Sequence, residues 1–328
     1  MGQFRDVVMI LSTTHKDKKH RHTVLDAKHR VSYIMSMNKL PTAKRVQILS
    51  MLCEGSSMRS VSRVCDVSIN TVAKLLEDAG KVCMAFHDEK VVNVKAKRVQ
   101  MDEIWSFTYA KQKNVAAAKA APEGAGDTWT WTGIEADSKL IIQWYVGPRD
   151  SQTASFFVEG LASRLANRVQ LTSDGLKAYL EAVEGAFGAD VDYAQLVKLY
   201  GAAPESAKGR YSPAECTGII KTPIEGKPDE KHISTSYVER QNLTMRMSMR
   251  RFTRLTNGFS KKMESHIYAI SLYFVFYNWM RIHKTLKVTP AMAAGLTTKL
   301  MSMEDLCDLM DAAAPKPGRP KTYKKRRP

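Results

Sequence analysis

Apolar positions change their spacing along the chain, and the change separates a helical region from a strand-rich one. Between residues 40 and 80 they recur at helical intervals. Pro41 and Thr42 open a first helix, which runs through Leu52 and is ended by Gly55. Val61, Cys65, Val67, Val72 and Leu75 then fall where the two crossed helices of a helix-turn-helix need apolar packing. Asp66 stands at the tight turn between them, where left-handed backbone is required and Asp is tolerated better than most residues. Ser68 is placed to cap the second helix. That leaves Asn70, Thr71 and Lys74 on the face opposite the core residues, positioned to enter a DNA major groove; an ordinary helical hairpin is the alternative reading.

From residue 98 the alternation has period two. It predicts strands at 98–109, 127–136 and 139–147, the last two joined by a hairpin turn at 136–139. A helix at 152–166, a short strand at 169–173 and a helix at 175–185 follow, the pattern of a mixed α/β sheet. Residues 186–232, rich in Gly, Pro and basic residues with one strand-like run from Val191 to Tyr200, read as an insertion. Two long helices, 235–255 and 261–283, close the domain. On the first, Val238, Met245, Met249 and Phe252 form one apolar stripe, with Glu239, Arg246 and Arg250 on the strip beside it.

The expected organisation is a helix-turn-helix domain at 37–87, a charged linker at 88–97 and a catalytic domain at 98–292. A short helical segment at 293–314 and a basic tail at 315–328 complete it. Residues 1–36 are polar and basic without periodicity, either a basic arm or sequence upstream of a true start at Met35 or Met37. The 14-residue apolar run from Ile267 to Met280 falls short of the ~20 residues that cross a bilayer, so no membrane partner is expected. Five scattered cysteines without a Cys-x-x-Cys pair argue against a structural zinc and a disulfide framework, and favour a reducing cytoplasm.

Charge sharpens the picture. A net charge of +17 favours a polyanionic partner such as DNA, although a ribosomal or membrane-surface protein would be basic too. The tail holds seven basic residues and no acid, and Arg319 lies in a Gly-Arg-Pro-Lys run like the hooks that enter A·T-rich minor grooves. A solubilising tail with non-specific phosphate affinity is the alternative.

Three acids suit metal-binding carboxylates. Asp102 lies in the strand-like run Val99 to Phe107, Asp174 closes the short strand, and Glu239 lies on a helix with Arg246 two turns further on the same face. Two ionised carboxylates ~4 Å apart repel by roughly 4 kcal/mol at an effective dielectric of 20, so three converging acids without a cation would be costly or partly protonated. Magnesium or manganese fits, and a pair of such ions performs phosphodiester chemistry. A surface Glu with Arg neighbours is the plainer account of the helix taken alone.

The segment Tyr237-Val-Glu-Arg-Gln-Asn242, the Arg seven residues after Glu239, and the run Met101 to Trp105 resemble the DDE transposases of bacterial insertion sequences. The resemblance is greatest to the insertion-sequence-one family in its single-reading-frame form, and Tyr277 to Leu286 with Thr289 to Ala291 resembles the closing helix and turn of such enzymes. It covers roughly residues 40–292. It implies an RNase H-like mixed-sheet catalytic domain preceded by an all-α helix-turn-helix domain. It also implies Asp102, Asp174 and Glu239 as ligands of two Mg²⁺ or Mn²⁺ ions, with Arg246 contacting phosphate. Glu103 is the residue most easily mistaken for Asp102, although adjacent strand residues face opposite ways. The Cys-rich module that often precedes the helix-turn-helix in relatives is missing, and the interval from Asp174 to Glu239 is long for the group.

The expected activity is therefore a cytoplasmic, nucleoid-associated transposase acting on double-stranded DNA, namely terminal inverted repeats and target, as a homodimer or larger assembly. Two other readings stand beside it: a DNA-binding regulator whose α/β domain is inert, and a nuclease or resolvase of the same fold.

Overall fold

In the computed structural model, residues 39–201, 216–253 and 257–314 are described, and those from Pro41 onward belong to one compact unit. Arg319 and the basic tail, with residues 1–36, lie outside the described residues. Its centre is a six-stranded mixed sheet of β1 (Arg98–Thr108), β2 (Gly126–Glu135), β3 (Ile141–Gly147), β4 (Gln170–Ser173), β5 (Asp192–Tyr200) and β6 (Cys216–Glu225). The spatial order is β3-β2-β1-β4-β5-β6. β1, β2 and β3 pair antiparallel, β4 runs parallel to both β1 and β5, and β6 returns antiparallel at the edge. This mixed α/β sheet is consistent with an RNase H-like arrangement.

Local chemistry explains the turns. The β2–β3 connection places Lys139 in left-handed backbone, while the Glu135 carboxylate accepts from the Asp137 amide at 2.9 Å and the Ser138 hydroxyl at 2.7 Å. Helices cover both faces of the sheet. On one, α4 (Ser151–Ala162) and α5 (Ala178–Phe187) pack Phe157 and Tyr179 against the buried indole of Trp131. On the other, α6 (Ser236–Ser248) and α7 (Met263–Val275) join Val238, Met245, Ile270 and Phe274 to Ile104, Ile134 and Ile141 in one core. β4 is short and almost wholly buried, as a parallel strand flanked on both sides must be.

Two sequence expectations change here. The segment 186–232 supplies β5 and β6, so it extends the sheet; pairing with β4 buries Tyr193, Ala194 and Leu196, which an excursion from the domain would leave wet. The helix expected over 235–255 stops at Ser248. Met249 turns extended, at φ −135° and ψ 110°, so that it and Phe252 enter the core beside Ile104. Arg250 therefore opens a short 3-10 turn and leaves the strip that carries Glu239 and Arg246.

The N-terminal helices are α1 (Thr42–Cys53), α2 (Met58–Val64) and α3 (Ile69–Lys90). Asp66 adopts φ 48°, Ser68 accepts from the Asn70 amide at 3.2 Å, and Val61, Cys65, Val72 and Leu75 are buried, with Val67 half-buried. α3 continues to Lys90, past the expected boundary at 87, and packs along α7, where the Ser271 hydroxyl donates to the Gly80 carbonyl at 2.9 Å. The expected linker is held in place: Val91, Val94 and Ala96 are buried, and Arg164 donates to the Val91 carbonyl at 2.9 Å and the Asp88 carboxylate at 2.5 Å. Last comes α8 (Met303–Ala313), tied to α1 by paired Arg45–Asp311 bonds of 2.7 and 2.9 Å. Among the described residues no helix is long and apolar enough to cross a membrane.

Candidate active site

β1 and β4 are hydrogen-bonded in parallel only as far as Gln100 opposite Thr172. Continuing that register by two residues sets Asp102 level with Asp174 at the point where the strands part. Strand ends that diverge leave a crevice, the usual ligand position in open α/β sheets. Here it is a cleft of about 680 Å³ whose lining includes Asp102, Asp174 and Glu239 together with Arg149, Lys177 and Lys198. Three acids from distant parts of the sequence thus line one cleft.

Glu239 reaches the cleft because β1 holds the start of its helix. The buried Gln100 side chain accepts from the backbone amides of Tyr237 at 2.8 Å and Val238 at 3.1 Å, satisfying two donors that the first turn of a helix leaves open. Thr235, the N-cap residue, uses its hydroxyl on the Glu239 carboxylate at 2.6 Å instead. One turn after Glu239, Asn242 donates to Asp102 Oδ2 at 2.7 Å, while the Glu103 amide donates to Oδ1 at 2.9 Å. Asp174 is oriented by the Leu176 amide, at 3.0 Å.

Glu103 does face away from Asp102, towards α5, where Tyr179 donates to it at 3.0 Å and Arg149 Nε at 2.5 Å. Nevertheless one carboxylate oxygen each from Asp102, Glu103 and Asp174 lie within 4.8 Å of one another, a tighter group than the expected three acids form. Strand alternation separates the side-chain stems, but the open strand end lets the carboxylates converge. Arg149 bridges Glu103 and Asp174, its Nη2 3.7 Å from the latter, and lies over the Trp129 ring at 5.0 Å.

The electrostatics follow from this crowding. Burial first, then the Glu103 and Asp174 charges, push the Asp102 carboxyl up to about 7. Burial and Asp174 also raise Glu103, against the pull of Arg149. Such mutual repulsion in an all-oxygen cluster is what a hard divalent cation relieves, so the donor set fits magnesium or manganese. Glu239 is differently placed: Lys198 Nζ donates to both of its oxygens at 2.5 Å. Burial pulls the Lys198 ammonium down, but the Glu239 contact more than offsets it and the net shift is upward.

The remaining expected residues lie elsewhere. Arg246, on an exposed part of α6, and Arg250 are not among the cleft's lining residues. Asn70 and Lys74 are exposed and Thr71 half-buried on the first turns of α3, with Lys74 bonded to Asp78 one turn on. Sequence reasoning did not single out Arg149, Lys198, Gln100, Tyr179 or Asn242. Asn242 had a signal, since it follows Glu239 by three residues and so shares its helix face. For Lys198 there was none, because only the parallel pairing of β5 brings it to the cleft.

No family model and no curated protein matches the chain. Among solved structures it is similar to the piggyBac transposase synaptic complex with hairpin DNA, at 10% identity and a TM-score of 0.39, over 83% of this chain and 70% of that one. It is also similar to a pre-cleavage Mos1 transpososome, at 10% identity and a TM-score of 0.19, over 57% of this chain and 64% of that one.

Proposed function

We propose that this chain is a DDE-type DNA transposase with an RNase H-like catalytic core, of the insertion-sequence-one kind. The observation that carries the reading is the convergence of Asp102, Asp174 and Glu239 on one cleft lined also by Arg149, Lys177 and Lys198. Carboxylates alone would repel a phosphodiester; carboxylates that hold cations, with basic side chains around them, bind one. Two magnesium or manganese ions held there would activate the attacking oxygen and neutralise the departing one.

The chain's own residues divide the remaining work. Asp102, Asp174 and Glu239 would hold the ions, with Glu103 oriented by Arg149 and Tyr179 as an adjacent carboxylate. Asn242 and the Glu103 amide fix the Asp102 carboxylate, so that its oxygens are set before substrate arrives. Asn70, Thr71 and Lys74 on α3 read the terminal inverted repeats in the major groove, with Arg246 and Arg250 contacting DNA outside the cleft and Arg319 of the basic tail as a further DNA contact. A water first exposes a 3′-hydroxyl at the element's end, and that hydroxyl then attacks target DNA. A homodimer or larger assembly bridges the two ends in the cytoplasm, next to the nucleoid.

The test is strand cleavage and joining on a duplex that carries the inverted repeats flanking the gene, with and without Mg²⁺. Asp102→Asn, Asp174→Asn and Glu239→Gln are expected to abolish both steps and leave binding of the ends intact. Cleavage retained by any of the three defeats the assignment. Binding without Mg²⁺-dependent cleavage in the wild type indicates an inert regulator, and cleavage without joining a nuclease or resolvase.

A further inference from the structure

β5 outruns its neighbour. Its parallel pairing with β4 ends at Gln195 opposite Ser173, and the strand continues to Tyr200 alongside the turn that carries Asp174. Lys198 lies on this overhang and lines the cleft. Its ammonium donates to both oxygens of Glu239, and the Thr235 hydroxyl donates to one of them as well. Glu239 is therefore engaged, while Asp102, Glu103 and Asp174 cluster on their own within 4.8 Å.

A divalent cation ligated by Glu239 competes with Lys198 and Thr235 for the carboxylate lone pairs, and it is repelled by an ammonium at contact distance. Glu239 is a good ligand only once Lys198 has moved away. What draws an ammonium out of a carboxylate pair is another anion, and a phosphodiester entering this cleft is one. We infer that Lys198 is a latch: without DNA it holds Glu239 out of the metal site, and with DNA it moves to a backbone phosphate, so cation loading at Glu239 is coupled to DNA binding. This rests on the function proposed above. It adds a substrate-contacting lysine and an order of assembly, in which the cluster of Asp102 and Asp174 loads first and Glu239 joins once DNA is present.

The experiment is a calorimetric Mn²⁺ titration of the full chain, read without any turnover. Lys198→Met is expected to bind one ion about tenfold more tightly than the wild type, within the usual range of coupling between sites. Adding Glu239→Gln to that variant removes the gain, and Lys198→Arg, which keeps the cation, retains the wild-type isotherm. A short duplex of arbitrary sequence at low salt should tighten Mn²⁺ binding by the wild type and leave Lys198→Met unchanged. Identical isotherms for wild type and Lys198→Met overturn the latch while leaving the metal site standing. Mn²⁺ binding that ignores Asp102→Asn and Asp174→Asn removes the metal site, and the latch goes with it.

Discussion

Gln100 and Val238, far apart in the chain, are joined by a 3.1 Å hydrogen bond in which the strand side chain accepts from the helix backbone. With its 2.8 Å partner bond from Tyr237, this makes β1 the cap of the helix that bears Glu239. The strand that bears Asp102 thus sets the position of Glu239.

Replacing Gln100 by Met keeps the volume and removes the acceptor. Leaving buried amides unpaired costs about 1–3 kcal/mol each when no water replaces the partner. With two amides affected, the variant should lose about 2–6 kcal/mol of stability in urea unfolding. Hydrogen exchange at the Tyr237 and Val238 amides should accelerate, and strand cleavage should fall while DNA binding persists. Unchanged exchange at both amides would show that the cap is not needed.

Asn242→Ala removes the side-chain donor to Asp102 and leaves its carboxylate free to turn. Supporting contacts of this kind typically change metal affinity or activity by about 10–100-fold. The expected result is a higher Mg²⁺ requirement for cleavage with a preserved thermal transition. A drop in cleavage that saturating Mg²⁺ does not repair at all would assign Asn242 a different task.

Gly80 lies inside α3 where that helix meets α7. A Cβ there would sit 2.6 Å from the Tyr268 Cα and still closer to its Cβ. Alanine gains about 1 kcal/mol in helix propensity, but overpacking against backbone costs about 1–3 kcal/mol. Packing wins, so Gly80→Ala should lower the urea midpoint. A raised midpoint would mean that the two helices separate without penalty.

Two groups with shifted pKa values give opposite pH slopes. Burial and, secondarily, the Arg251 charge pull the His266 imidazole down to about 3, so its contribution to stability is complete above the ordinary value of 6.5 and is lost as pH falls towards 3. Asp102 is raised to about 7, so in Mg²⁺-free buffer its contribution is complete below about 4 and is lost as pH rises through 7. His266→Gln should remove a slope of up to about 1.4 kcal/mol per pH unit on the acid side, and Asp102→Asn a slope of the opposite sign. Unfolding midpoints at a series of pH values check both signs.

On α3, Lys74 and Asn70 should separate by the kind of DNA contact they make. Lys74→Ala is expected to weaken binding evenly across sequences and reduce the salt slope by about one. Asn70→Ala should relax preference at a single base pair by about 1–3 kcal/mol. Competition binding against single-substitution duplexes distinguishes the two, and equal losses on all duplexes for both variants would reduce the motif to a phosphate contact.

Much of this protein is readable from local chemistry. Asp66 in left-handed backbone, Ser68 as a cap, the strand of Asp102 and the buried stripe Val238, Met245, Met249 and Phe252 depend on each residue's own conformational preference or on its burial period. The same stripe shows the limit of such reading. It is buried as expected, yet the helix ends at Ser248, because what periodicity reports is burial, and Met249 and Phe252 reach the core equally well outside a helix.

Tertiary structure decided the rest. Sequence distinguishes a strand from an insertion only when the strand's partners are known, and Val191 to Tyr200 finds its partner in β4 across a helix. That pairing brings Lys198 onto Glu239, and the parting of β1 from β4 lets Glu103 rejoin Asp102 despite its opposite face. Side-chain type and spacing determine which groups are able to hold a cation; which of them share one is set by the register of parallel strands, a relation between residues that no local pattern encodes.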